Sequence, residues 1–262
     1  MQDDALGDWR IQAAARLAKD VPPAYAGGPS HKTGTPVHLS TATRNSRNQP
    51  VGFVTPSATA LALSIAMATS VEAERLNSQL IFKEVITPEG KGKSVGYKDV
   101  GPLFDYFEYC MMAVTFSFQA LETFCNHTIA NELKGNFSLQ RRKEVKTFTS
   151  LELEREVSTE EKLAIVLPDI LKMNSPKGKK VWQNFVTLKR ARDATIHMKS
   201  TDQYPNQYST GVVDEDTLFY QFLNHKATEF PKAAINMINY FASAKETPRW
   251  LIVPLEFLNG KK

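Results

Sequence analysis

The chain has 262 residues, 42% of them apolar and 23% charged, with a formal net charge of +4 at neutral pH. That composition excludes a wholly disordered chain and a disulfide-stapled miniprotein, and it supplies apolar mass for one sizeable core. The opening MQDDALGDWR is acidic where a secretory leader is basic, and the weakly polar run Ala58 to Val71 is too short and too rich in Ser and Thr for a membrane span. The expectation is a cytoplasmic protein that does not engage a membrane.

Residues 1–54 read as an irregular arm. A short helix is expected over residues 8–19, after which Pro22, Pro23, Gly27, Gly28, Pro29, Gly34, Pro36 and Pro50 interrupt any apolar period. His31 and His38 lie there without a Cys or carboxylate beside them, so they read as loop histidines in preference to metal ligands.

Residues 55–250 read as a single helical domain and residues 251–262 as a tail. Thr55 and Pro56 resemble a cap and first turn, and Ala58, Leu61, Ala62, Ile65, Ala68 and Ala73 then keep helical spacing to about Phe82. PEGKGKSVG, from Pro88 to Gly96, reads as a turn or short hairpin. Gly101 and Pro102 open the most apolar segment, where Leu103, Phe107, Cys110, Val114, Phe118, Leu121, Cys125, Ile129 and Leu133 trace one helical stripe that stops before Gly135. Phe104, Met111, Phe116 and Phe124 lie off that stripe. The helix must therefore be covered on more than one side, by its own bundle or by a second copy, and a homodimer is expected. Cys110 and Cys125 stand about 22 Å apart along such a helix, too far for a mutual disulfide, so a reducing compartment is the simplest home.

Polar residues 136–157 read as a crossover. Ser158 and Glu161 form a capping-box pair, Pro168 bends or restarts the helix that follows, and Ser175, Pro176 and Gly178 make a turn. A helix from about Lys180 to His197 places Trp182, Phe185, Val186 and Leu188 toward the core, and a last helix runs from about Asp214 to Ala244 with a kink at Pro231. Strand signal is sparse, and the fold class expected is an all-α helical bundle with an irregular N-terminal arm.

The chemistry concentrates between Lys172 and Lys199, where eight Lys and Arg stand against one acid, Asp193, a net of +7 that favours a polyanionic partner. At about 100° per residue, Asp193 and His197 are neighbours one turn apart, so the carboxylate can orient the ring and favour its protonated form. Arg190 lies on nearly the same face as His197, whereas Arg192 is about 140° away and needs long reach, a helix end or another protomer's histidine. A guanidinium, a carboxylate and an imidazole suit attack of an RNA 2′-hydroxyl on its own phosphodiester, with histidine moving the proton and arginine stabilising the charge on phosphorus. That chemistry calls for no metal or cofactor, and the chain carries no HExxH, CxxC or EF-hand-like loop. An Arg and a His at this spacing also arise by chance on helices, as a surface arginine beside a packed or solvated histidine.

Three stretches, FSFQALETFCNHTIANEL, STEEKLAIVLPDIL and above all WQNFVTLKRARDATIH, resemble the HEPN superfamily, all-helical domains found in many prokaryotic RNase toxins and antiviral effectors. The likeness runs from about Val100 to Ala244. It implies a metal-independent endoribonuclease whose cleft is shared by two protomers, with RNA as partner and an antitoxin or activator protein as regulator. Residue by residue it implies Arg192, Asp193 and His197 as the catalytic set, with the EKL-like Glu161 to Leu163 on the preceding helix. Arg190, which the family spacing also admits, becomes with Lys189 and Lys199 an RNA contact. Glu122 and Asn126, with Gln119, are either outer groups that orient the Arg and His helix or a polar seam inside the bundle. His127 and His225 read as structural. Tyr204 and Tyr208 rim the cleft as stacking groups or as loop packing, and Lys177, Lys179 and Lys180 either follow an RNA backbone or keep a turn solvated. Some family members have lost catalysis and bind RNA or a partner protein, which is the alternative reading.

Overall fold

A computed structural model describes residues 6–23, 25, 28–87, 90–141, 144–203, 217–244 and 247–260. The chain opens with two antiparallel ribbons, β1 (Ala14–Arg16) paired with β2 (Pro36–His38) and β3 (Ser40–Arg44) paired with β4 (Pro50–Val54). Helix α1 (Ala58–Asn77) leads to the ribbon β5 (Phe82–Thr87) and β6 (Gly90–Val95), and then to the long α2 (Val100–Glu132). A fourth ribbon, β7 (Phe137–Arg141) with β8 (Glu144–Phe148), precedes α3 (Ser150–Glu156) and α4 (Thr159–Glu161). A π turn over Lys162–Val166 continues into α5 (Leu167–Leu171). The rest is α6 (Lys180–Ile196), α7 (Ser200–Gln203), α8 (Leu218–Asn224), α9 (Glu229–Ala242) and α10 (Ile252–Leu258).

The described residues are 55% helical and 18% in strands, so the all-α expectation is overturned and the fold is mixed. The arm expected as irregular holds four strands, and the helix expected over residues 8–19 is replaced by turns and β1. The crossover at residues 136–157 contains β7 and β8. These strands escaped the sequence reading because none exceeds six residues and several face solvent on both sides, as in β3 and β4, where all ten residues are exposed. Without a buried face there is no period-two apolar signal to read in β3 and β4, whereas β7 does alternate, with Phe137 and Leu139 buried, over too few residues to stand out.

The helical core follows the apolar pattern more closely. Helices α1 and α2 pack along their lengths, and α2 also packs on α6 and α9. Small residues make the first contact close: Ala60, Ala62, Ala66 and Ala73 of α1 and Ala113, Ala120 and Ser117 of α2 are buried. From the expected stripe Cys110, Val114, Phe118, Leu121, Cys125 and Ile129 are buried, and Phe124 joins them from the adjoining face, whereas Phe104 stays 58% exposed. A second, smaller core of Ile129, Phe137, Leu139, Phe148, Leu153, Val157 and Val166 lies under the β7–β8 ribbon.

Local signals set the helix ends. Ser57, two residues past the expected Thr55, caps α1 by accepting from the Ala60 N–H, and α1 ends at Asn77 because Phe82 belongs to β5. Thr149 and Glu152 form a reciprocal capping box on α3, and Ser158 accepts from the Glu161 N–H as expected. Pro168 has no N–H to offer the Ala164 carbonyl four residues back, and the Ser175 hydroxyl donates to that oxygen at 2.8 Å. Pro231 falls in the first turn of α9, where an N–H has no intrahelical partner to lose. The single kinked helix expected over residues 214–244 is therefore two helices, α8 and α9. Residues expected as a tail form α10, which packs on α9 and α1. Among the described residues no helix is long and apolar enough to cross a membrane.

Candidate functional site at the end of helix α6

Helix α6 starts at Lys180 as the sequence predicts and buries Phe185, Leu188, Ala191 and Ala194. Phe185 lies between the Phe118 ring of α2, 6.3 Å away, and the Trp182 ring, 5.1 Å away, which fixes the rotation of α6 about its axis. That rotation turns Lys189, Arg190, Asp193 and His197 outward, into an open groove of about 570 Å3. Glu160 of α4, Val186, Ala194 and Lys199 complete its lining. Val186, expected in the core, is 38% exposed on this wall.

His197 is exposed and occupies the C-terminal cap of α6, its own N–H donating to the Asp193 carbonyl at 2.9 Å. The expected contact between its imidazole and the Asp193 carboxylate is not made among the described residues. Lys189 donates to Oδ2 of Asp193 at 2.9 Å and Arg192 to Oδ1 at 3.1 Å, so both oxygens already serve cations. The Asp193 carboxylate holds the Lys189 ammonium above the usual lysine range, against a smaller opposing effect of burial, and Glu160 lies 3.8 Å from the same ammonium.

Arg192 leaves the groove. Its guanidinium sits over the Phe118 ring with 4.8 Å to the centroid, a cation–π contact with α2. The 140° offset read from the sequence is thus kept in the chain, and the guanidinium that shares a wall with His197 is that of Arg190. Three of the eight basic residues of the Lys172 to Lys199 window line the groove: Lys189, Arg190 and Lys199. Others are engaged elsewhere: Lys177 lies over Trp182 at 5.5 Å, and Lys179 lies over Tyr240 at 4.6 Å while donating to its hydroxyl at 2.8 Å. A helix C-terminus carries partial negative charge, so an anion in this groove depends on side-chain cations and gains nothing from the α6 dipole.

Asn126 does not reach the α6 site. Its Oδ1 accepts from Nζ of Lys162 at 2.8 Å, and the same ammonium donates to the Glu154 carbonyl at 2.8 Å. Lys162 is 1% exposed, and that burial lowers its pKa. Glu122 is exposed, and among the described residues no hydrogen bond or ion pair joins Glu122 or Asn126 to Arg192 or His197. Asn126 therefore belongs to a polar seam joining α2, α3 and the π turn. Glu161 pairs with Arg141 of β7, and Leu163 is core. His127 accepts from the amides of Gln12, at 2.9 Å, and Asn131, at 2.8 Å, with desolvation lowering its pKa. His225 pairs with Glu229 at 3.6 Å, and His38 bonds the Leu6 carbonyl at 3.0 Å. Tyr204 and Tyr208 lie outside the described residues.

Two residues that position the groove were not singled out from the sequence. Glu160 joins its wall because α4, packed on α2 and the π turn, brings the carboxylate within 3.8 Å of the Lys189 ammonium. Asp202, 6% exposed, accepts from the Lys199 N–H and from the Leu218 N–H, each at 2.8 Å, and so ties the segment after His197 to the start of α8. Only an Asp shortly after the basic run marks it, which is too common a feature to notice. Comparison with protein-family models, with curated proteins and with solved structures gives no match for this chain.

Proposed function

We propose that this protein is a metal-independent endoribonuclease of the HEPN type, cytoplasmic and working as a homodimer in toxin or phage-defence biology. The observation that carries the reading is the exposed His197 sharing one open groove with Lys189, Arg190 and Lys199. In the proposed reaction the 2′-oxygen of a ribose attacks the adjacent phosphorus and the 5′-oxygen of the next nucleotide leaves. The products are a 2′,3′-cyclic phosphate and a 5′-hydroxyl. One imidazole accepts the 2′-hydroxyl proton, and a second, supplied by the partner protomer, protonates the leaving oxygen. Guanidinium groups stabilise the negative charge that builds on the phosphoryl oxygens. An antitoxin or activator protein would regulate the site.

Cleavage of a labelled RNA in the presence of EDTA tests this directly. His197→Ala should abolish cleavage and cellular toxicity while leaving the melting temperature unchanged, because the side chain is exposed. Wild-type cleavage by that variant would refute the assignment.

A second reading, a non-catalytic module that binds RNA or a partner protein, is favoured by one observation. Arg192, the arginine that the family resemblance names, is held on Phe118 and Asp193, away from His197. On this reading RNA binds with steep salt dependence, and His197→Ala leaves the phenotype intact.

A further inference from the structure

The β3–β4 ribbon contributes no strand residue to the core. All ten of its strand residues are exposed, and a two-stranded ribbon with no buried face is marginal in water. It is nonetheless tied at both ends. At the base the Thr55 N–H donates to the Leu39 carbonyl at 2.8 Å, and the Gln12 N–H to the Thr55 carbonyl at 2.9 Å. At the tip Asn45 Oδ1 accepts from the N–H groups of Arg47 and Gln49, both at 3.0 Å, and the Arg44 guanidinium donates to the Asn48 carbonyl at 2.8 Å.

The register puts Thr41 opposite Phe53 and Thr43 opposite Val51, so these four side chains share one face. Phe53 is 44% exposed there, beside two hydroxyls. Arg44, opposite Pro50, starts from the other face and turns its guanidinium to the tip, where Arg47 also stands. No Asp or Glu occurs from Val21 to Val71, so nothing within that segment neutralises Arg44 and Arg47. An open ring face, hydroxyl donors and cations without acids match the stacking-plus-phosphate recognition of single-stranded nucleic acid.

We propose that this ribbon is a docking platform for single-stranded RNA, with a base stacked on Phe53 and phosphates held by Arg44 and Arg47. The proposal rests on RNA being the ligand of the α6 groove, and it adds a second contact on a separate element. The Thr59 and Thr123 hydroxyls, 3.1 Å apart, set the start of α1, and hence the ribbon's base, beside α2 residue 123. Helix α6 meets the same helix nearby, where the Arg192 guanidinium lies over the Phe118 ring, so α2 carries both the ribbon's base and the α6 site.

Fluorescence anisotropy of a fluorescein-labelled oligouridylate over a salt series tests the platform. Phe53→Ala should weaken binding about tenfold. Arg44→Ala combined with Arg47→Ala should flatten the salt dependence by roughly one to one and a half units of log K against log salt. Melting temperatures should stay at wild type, since these side chains are exposed and the Arg44 bond to Asn48 closes only the ribbon's tip, outside the core. Unchanged affinity and slope in both variants would overturn the platform and leave the groove assignment standing. So would dissociation of a dimer by Phe53→Ala with RNA affinity retained, which would make the face a contact between copies of this chain. Ribbon-dependent binding by a wild type that never cleaves would sink the nuclease reading and keep the platform, and no salt-sensitive RNA binding at all would sink both.

Discussion

Replacing Lys162 by Met tests the polar seam that joins α2, α3 and the π turn. Methionine keeps the length of the side chain but removes an ammonium that is 1% exposed and donates to Asn126 Oδ1 and the Glu154 carbonyl. Two hydrogen bonds from a charged donor contribute about 2.5 kcal/mol each, and removing the charge relieves a desolvation cost of about 3 kcal/mol. The variant should therefore be less stable by about 2 kcal/mol, which lowers the melting temperature by about 4–8 °C in a chain of this size. The pH dependence gives a sharper check. Burial places the folded-state pKa of Lys162 below the unfolded value. Between the two the unfolded chain binds more protons, and wild-type stability rises with pH through that window relative to the Met variant, which has nothing to titrate. The neutral amine still donates both hydrogen bonds, so the stability gap should widen from neutral pH toward about pH 10. Urea denaturation of both proteins across that range measures it. A gap that stays flat or narrows, or a Met variant more stable than wild type at neutral pH, would refute the account of Lys162 as a buried, hydrogen-bonded ammonium.

Arg192→Ala should cost about 1 kcal/mol of stability, readable as a small fall in melting temperature, because it removes the contact with Phe118 and one of the two cations on Asp193. Arg190→Ala should weaken RNA binding at every salt concentration while Arg192→Ala leaves it nearly unchanged, and the opposite pattern would exchange the roles assigned to the two arginines. Thr149→Ala removes a reciprocal capping box and should destabilise the chain by about 1 kcal/mol, measured by urea denaturation. Burial pushes the Cys110 thiol up to about 12 and raises that of Cys125 as well. Iodoacetamide at about pH 8 should therefore modify neither cysteine until denaturant is added, and mass spectrometry of the native protein would expose a failure.

Legibility from sequence differed between parts of the molecule for identifiable reasons. The register of α6, its start at Lys180, the Ser158 cap and the buried stripe of α2 follow from helical period and capping chemistry, which act between residues no more than a turn or two apart. The same local geometry placed Arg190, Asp193 and His197 on one face and Arg192 off it, as the groove shows. Which partner each polar group takes was not local. Asp193 satisfies Lys189 and Arg192, and Asn126 satisfies a lysine 36 positions away on another element.

The sequence by itself determined the helical faces and the basic character of the α6 region, because side-chain spacing and charge are properties of the chain before it folds. A hairpin at Pro88 to Gly96 was legible as a turn or hairpin, but tertiary structure decided that ribbons also form in the arm and at residues 137–148, since strands as exposed as β3 and β4 exist only through the neighbour each pairs with. It also decided that Glu160 meets Lys189 and that Arg192 caps the Phe118 ring, because those contacts depend on how α4, α2 and α6 pack.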